Sequence, residues 1–166
     1  MSEALQTHPP VTKKEIGGWA FFDFANSSYV TVVITVIYAP FFTEYIVPAQ
    51  SSLRTSYWSL AIAISTLIAL TLAPLVGSVC DLSGNKKKYL IGTTLICSFA
   101  TMLLSLVGPG DVSLAIILVA VSYATFMLSE SFCGAFLSDI ATPQNMGIIS
   151  GIGWGIGYFG GIASLL

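Results

Sequence analysis

Charged side chains are scarce in this sequence. Only 8% of its 166 residues are Asp, Glu, Lys or Arg, and 55% are hydrophobic, whereas a soluble domain carries about 25% charged residues. So few charges exclude the ordinary classes of water-soluble domain. The net charge of −2 also provides no basic surface, so we expect no nucleic-acid partner.

Histidine and paired cysteines are nearly absent as well. The single histidine, His8, lies in a polar tail over residues 1–16, which lacks the apolar core of a cleavable signal peptide. Cys80, Cys97 and Cys133 have neither zinc-site nor disulfide spacing and are predicted to be small buried side chains. Without a phosphate-cradling loop or an activated nucleophile, we expect no enzyme, no catalytic residue, no metal and no cofactor.

Long apolar runs dominate the rest of the chain. About 20 apolar residues suffice for a helix to cross a bilayer, and the runs are continuous rather than alternating, which predicts helices instead of barrel strands. The predicted fold is an all-α membrane protein, a partial bundle of five transmembrane helices in contact with lipid. The predicted spans cover about residues 17–47, 57–80, 89–107, 113–137 and 146–166.

Two prolines bear on the ends of these helices. Pro40, near the far end of the first span, predicts a bend or a loosened turn there. Thr142-Pro143 has the pattern of an N-cap followed by proline at the first helical position, which predicts that the fifth helix begins at this point.

The distribution of basic residues predicts the orientation in the membrane. Lysines in the tail and in the connection from the second to the third span fall on one side, and only Arg54 falls on the other. Short basic segments stay in the cytoplasm, so the N-terminus is predicted to be cytoplasmic. The short tail and loops favour a bacterial inner membrane slightly over a vacuolar one. The five lysines are Lys13, Lys14, Lys86, Lys87 and Lys88.

The predicted connection from Asp81 to Lys88 carries a glycine-aspartate-glycine pattern followed by three lysines. Gly77 is expected to let two helices approach closely, and Gly84 to permit a tight reversal. The pattern Gly77, Asp81, Gly84 and Lys86 to Lys88 resembles the signature loop of the major facilitator superfamily of secondary transporters. That resemblance implies a loop that latches the two halves of a transporter together. Taken alone, the lysines are equally typical of a loop that merely sets topology.

Longer segments resemble one branch of that superfamily, the vacuole effluxers. The best-known members of this branch export amino acids from the yeast vacuole, and its many bacterial members are mostly of unassigned substrate. The similar segments are Trp19 to Tyr29, Ala135 to Pro143 and Met146 to Gly161. Because the superfamily fold has twelve spans, the resemblance implies that this chain is an N-terminal part, lacking the sixth helix and the C-terminal half. That half would follow in a longer chain or come from a companion chain.

Two acidic residues lie inside the predicted spans. Asp23 in the first span and Glu130 in the fourth both lie roughly 10 Å from the predicted cytoplasmic side. Charges in hydrocarbon cost about 2.5–3.5 kcal/mol each and tend to be functional. The superfamily places both helices beside its central cavity, so the resemblance implies one acidic site for a proton or a cation. Alternatively, each carboxylate is only a group near a helix end that is hydrated by water from the cytoplasmic side.

Polar and aromatic neighbours extend this candidate pathway. Asn26, Ser27 and Tyr29 follow Asp23 with donors and acceptors that suit a polar or zwitterionic solute, although Ser27 could instead bond its own helix backbone. Trp154 in the fifth span could line the cavity or face lipid.

The fifth span is rich in glycine, including Gly153, Gly157, Gly160 and Gly161. We expect these four to serve close helix packing, with a hinge or sliding surface as the alternative.

These observations favour a secondary active transporter, or its N-terminal part. It would move small polar solutes, with amino acids as the preferred class, by alternating access and with proton coupling. The alternative is a truncated fragment that inserts in the membrane but transports nothing alone.

Overall fold

The computed structural model of the chain describes residues 12–166, so His8 and most of the tail lie outside the described part. Over that range the chain forms five long helices, all long and apolar enough to cross a membrane. This confirms the predicted all-α class. The helices are α1 Lys13–Ile46, α2 Arg54–Ser83, α3 Lys86–Leu103, α4 Val112–Ile140 and α5 Met146–Ala163. We call the end that carries the lysines of α1 and α3 the basic end.

Helix α1 begins at Lys13, four residues before the predicted span, because Thr12 and Glu15 form a capping box. The backbone N–H of Glu15 donates to the Thr12 hydroxyl, and the backbone N–H of Thr12 donates to the Glu15 carboxylate. Two donors at the helix start, which would otherwise be unpaired, are thereby satisfied. The helix can therefore start within polar sequence.

The far half of α1 is irregular, as Pro40 predicts. Val30–Val36 and Phe42–Ile46 are wound as π-helix, and Ile37 between them has a φ of −105°. Proline has no N–H to donate, and inserted π turns absorb the mismatch in the backbone ladder. The helix therefore bends near the end opposite the basic end without breaking.

The connection between α2 and α3 is shorter than predicted. Helix α2 continues to Ser83, and Gly84 reverses the chain with a φ of +64°, a conformation that glycine adopts without strain. Only Gly84 and Asn85 lie outside helices. The three lysines therefore form the first turn of α3 rather than a loop, because the glycine cap completes the reversal in a single step.

The predicted start of the fifth helix at Thr142-Pro143 is wrong by three residues. The Asn145 side chain accepts a hydrogen bond of 2.7 Å from the backbone N–H of Thr142, and the Asn145 N–H donates to the Thr142 carbonyl at 3.1 Å. These bonds close a turn before the helix, which begins at Met146. Proline suits such a turn as well as it suits a first helical position.

Helix α4 is the centre of the bundle. Helices α2 and α3 pack along it, while α1 packs mainly along α5. Small side chains allow this close approach, since Ala115, Ala124 and Ser129 on α4 are almost fully buried. Cys80, Cys97 and Cys133 are buried too, as predicted.

The outer surface of the bundle is apolar. Large side chains such as Leu67, Leu95 and Phe159 are about two-thirds exposed, and Leu82 is 90% exposed. Contiguous apolar surface of this extent is unstable in water and matches the hydrocarbon of a bilayer. A multi-pass membrane protein follows from this surface together with the five apolar helices.

Candidate functional site

A cavity of about 460 Å³ lies between α1, α4 and α5. Carboxylates, hydroxyls and aromatic rings share its wall with apolar side chains, a mixture that is usual in sites for small molecules. Helix α1 contributes polar groups to the wall, α4 contributes a carboxylate, and α5 contributes two aromatic rings. The lining residues are Asp23, Ser27, Val30, Thr31, Phe126, Glu130, Trp154, Gly157, Tyr158, Gly161, Ile162 and Leu165.

Asp23 and Glu130 line this same cavity. Asp23 is ten residues beyond Lys13, and Glu130 is ten residues before Ile140, so each lies about 15 Å from the basic end. Each lies farther from its helix end than from the end of its predicted span, since α1 and α4 extend beyond those spans. Two half-buried carboxylates at one depth form a concentrated negative site.

Asn26 holds one of these carboxylates. Its side-chain amide donates a hydrogen bond of 2.5 Å to Oε1 of Glu130, which joins α1 to α4. Asp23 receives no hydrogen bond and forms no ion pair within residues 12–166. The two acids therefore differ, because Glu130 is oriented by a neighbour whereas Asp23 keeps its acceptor capacity for a ligand.

The other predicted pathway residues divide between the cavity and the core. Ser27 and Trp154 line the cavity, and Trp154 is at the same time 67% exposed. Tyr29 instead points into the bundle, where its hydroxyl lies 2.8 Å from the hydroxyl of Ser122 and its ring stacks on Phe126. Tyr29 is thus a helix-joining side chain rather than part of the cavity wall.

The four glycines of α5 lie against α1. A Cβ at Gly157 would come within 2.5 Å of the Asp23 carboxylate and 2.9 Å of the Ser27 hydroxyl, and one at Gly161 within 2.7 Å of Oγ1 of Thr31. A Cβ at Gly153 would overlap the Trp19 ring, and one at Gly160 would overlap the Phe24 backbone. Bare backbone on α5 is what lets α1 approach and brings its polar side chains to the cavity.

The signature residues lie at the basic end, away from this cavity. Asp81 is in the last turn of α2, and Gly84 makes the reversal. The close approach predicted at Gly77 is not seen in the described part of the chain, because a Cβ there would meet nothing within 4 Å.

One ion pair at the basic end was missed by the sequence analysis. Nζ of Lys86 lies 2.8 Å from the carboxylate of Asp139. Lysine in the first turn of α3 and aspartate in the last turn of α4 each have the sign of charge that interacts unfavourably with the dipole of their own helix. Antiparallel packing brings these ends together, so the two charges compensate each other. The available signal was an acid at the end of one span facing basic residues at the start of a neighbouring one.

Comparison with known proteins gives two matches. Residues 51–166 match the family described as vacuole effluxer Atg22 like. The chain is also 31% identical over 151 residues to YxiO, which is described as an uncharacterized MFS-type transporter of Bacillus subtilis (strain 168). That alignment covers 90% of this chain and 35% of the relative, so the chain spans about a third of the relative's length. No solved structure matches this chain significantly.

The family match covers more than half of the chain and includes four of the five helices. It agrees with the resemblance carried by the loop and by the segments of α4 and α5, whereas the segment of α1 lies outside the matched residues. The chain belongs to the vacuole effluxer Atg22-like family, related to the MFS-type transporters.

Proposed function

We propose that this chain forms the N-terminal part of a secondary active transporter. It would carry small polar solutes, with amino acids as the preferred class, by alternating access and with proton coupling. The observation that carries the proposal is the cavity between α1, α4 and α5, where two carboxylates, Asp23 and Glu130, lie together in a chain that belongs to an effluxer family. Ionisable groups at such depth in a membrane protein are expensive and are usually retained for function.

In this proposal the two carboxylates take different roles. Asp23 has no partner within the described residues and so can accept a proton or the amino group of a solute. Glu130 is held by Asn26, and protonation of Glu130 would weaken this charge-assisted hydrogen bond between α1 and α4. Proton uptake would thereby be linked to the packing of two helices that border the cavity. The Ser27 hydroxyl supplies a further polar contact for the solute.

Movement would use the contact between α1 and α5. The glycines at this contact present bare backbone, whereas Gly151 and Gly155 on the opposite side of α5 face open space. A smooth surface of this kind permits small sliding shifts between helices, as alternating access requires. The Gly84 turn and the lysines that begin α3 would latch this part to the other half of the transporter.

We place the N-terminus and the α2–α3 connection in the cytoplasm, because five lysines lie at the basic end and Arg54 lies at the other. The membrane we propose is a bacterial inner membrane, since the similar MFS-type transporter comes from a bacterium.

A second candidate is a fragment that inserts in the membrane and transports nothing alone. The alignment with only 35% of the relative favours it, because a substrate route needs walls on all sides and this cavity is bordered by three helices. In that case the missing part would have to come from a longer chain or a companion.

The deciding experiment compares the 166-residue chain with a chimera in which this chain replaces the matching third of YxiO. Each is reconstituted in proteoliposomes that contain a pH-sensitive dye, and single amino acids are added outside. We expect a substrate-driven pH change in the chimera, its loss in Asp23→Asn and Glu130→Gln, and its retention in the control Glu44→Gln, an exposed acid of α1 outside the cavity.

Unaltered proton movement in both Asp23→Asn and Glu130→Gln would remove the carboxylates from the mechanism. Transport by the 166-residue chain alone would exclude the fragment as the explanation.

A further inference from the structure

The cavity has a single sign of charge. Among the described residues, the twelve that line it include two carboxylates, the aliphatic hydroxyls of Ser27 and Thr31 and the phenol of Tyr158, but no Lys, Arg or His. Lys86, which forms an ion pair in the described part of the chain, pairs with Asp139 at the basic end. A bound anion would therefore meet only negative charge in this wall, whereas a cation would meet a favourable field.

Asp23 is the carboxylate that is free to take such a cation. No group among residues 12–166 donates a hydrogen bond to it, and it lies over the bare backbone of Gly157. Glu130, by contrast, already accepts the Asn26 amide. A ligand with N–H groups or a positive charge would satisfy an acceptor that the chain itself leaves open.

Two aromatic rings line the same cavity from α5. Trp154 and Tyr158 are four residues apart, with ring centroids 6.2 Å apart, and their side chains are 67% and 68% exposed. The electron-rich faces of such rings attract cations, and they favour organic ammonium groups, whose carbon atoms also gain apolar contact. A bare metal ion would gain little here, because no cluster of three metal-binding side chains exists in the described chain.

We propose that this cavity binds the ammonium group of a small organic cation, with Asp23 as the counter-charge and Trp154 and Tyr158 as the aromatic wall. The inference rests on the proposed function, since it names the chemical group of the solute, the positively charged end, that the same site recognises. The volume of about 460 Å³ suits a small organic molecule rather than a lone ion. A solute with a positively charged end would enter with that end toward this wall.

Choline binding tests the proposal. The full 166-residue chain in lipid nanodiscs is equilibrated with radiolabelled choline, and unlabelled competitors are added. The competitors are 3,3-dimethylbutan-1-ol, a neutral isostere, and glycine betaine, which adds a carboxylate to the same cationic head. We expect choline to bind at least tenfold more tightly than the neutral isostere and more tightly than glycine betaine.

Variants of the chain test which side chains contact the bound choline. Asp23→Asn should weaken choline binding at least tenfold, and Trp154→Leu should weaken it by roughly threefold to tenfold. The matched control Glu44→Gln should bind as the unmodified chain does, because Glu44 is an exposed carboxylate of α1 outside the cavity. Circular dichroism and size-exclusion chromatography confirm that each variant is folded. Trp154→Leu is a second, independent test of the site, because it leaves both carboxylates unchanged.

Equal binding of choline and its neutral isostere would overturn the proposal, as would choline binding unchanged in both Asp23→Asn and Trp154→Leu. Tighter binding of glycine betaine would also overturn it, because it would require an anion-accepting group. The result is separable from that of the transport assay. If the chimera shows pH changes but choline does not bind, the proposed transport function stands and the cationic ligand is rejected. If choline binds but the chimera shows no flux, the cationic ligand stands and the proposed transport function is rejected.

Discussion

The indole N–H of Trp19 donates a hydrogen bond of 2.8 Å to the backbone carbonyl of Cys133. This bond joins α1 to α4 near the basic end, and the same indole ring occupies the space left by the absent side chain of Gly153 on α5. One side chain thus contacts both of the other helices that border the cavity. The positions of these helices at the level of Asp23 and Glu130 depend on such cross-links.

Replacement of Trp19 by Phe should destabilise the bundle. Phenylalanine keeps an aromatic ring at the contact but cannot donate to the Cys133 carbonyl, so we expect a loss of about 0.5–1.5 kcal/mol in the free energy of unfolding. Thermal unfolding followed by circular dichroism in detergent measures the change. Trp154→Phe is the matched control, since the Trp154 ring is two-thirds exposed. Equal melting temperatures for the two variants would contradict this role of Trp19.

Gly160→Ala should weaken the contact between α1 and α5. The added methyl group would overlap the backbone of Phe24, which cannot rotate away as a side chain can, so we expect a loss of about 1–3 kcal/mol. Gly155→Ala on the same helix faces open space and should be neutral or stabilising by up to about 1 kcal/mol. Melting temperatures of the two purified variants test the contrast. Identical shifts would show that the approach of the helices does not depend on Gly160.

Asn26→Leu should cost more stability than the double variant Asn26→Leu/Glu130→Leu. The single change leaves a half-buried carboxylate without its donor, for which we expect a loss of about 1–2 kcal/mol. Replacing both partners removes the polar group and the need for a donor, so most of this loss should be recovered. Thermal unfolding of the three variants, including Glu130→Leu, gives the coupling energy. Additive losses would mean that the hydrogen bond contributes nothing.

Lys86 and Asp139 should couple weakly and in a salt-dependent manner. Their side chains are 25% and 48% exposed, so a double-mutant cycle with Lys86→Ala and Asp139→Ala should give about 0.2–1 kcal/mol, decreasing as salt is added. A parallel cycle that uses Lys88→Ala, which has no described ion pair, should give a value near zero. Coupling of Asp139 to Lys88 as strong as to Lys86 would indicate a diffuse field rather than a specific pair.

The lengths of the apolar runs and the positions of proline and glycine predicted most of the fold. Each apolar run became a helix, Pro40 marked the irregular part of α1, and Gly84 marked the reversal after α2. The helix ends were less predictable, because polar residues can continue a helix into the interfacial region. Thr12 extends α1 toward the tail through its capping box, whereas the Asn145 turn delays α5 beyond Thr142-Pro143.

The sequence by itself determined a membrane-spanning, all-helical chain, because hydrocarbon requires every backbone polar group to be paired within its own segment. It also supplied the acids and the glycines from which the site is built. Only the tertiary structure decided that Asp23, Glu130 and Trp154 line one cavity while Tyr29 packs in the core, and that Lys86 pairs with Asp139. Those outcomes depend on how each helix is rotated about its axis against its neighbours. In α1 and α4 the polar and apolar residues are not separated onto opposite faces of the helix, so the sequence does not specify that rotation.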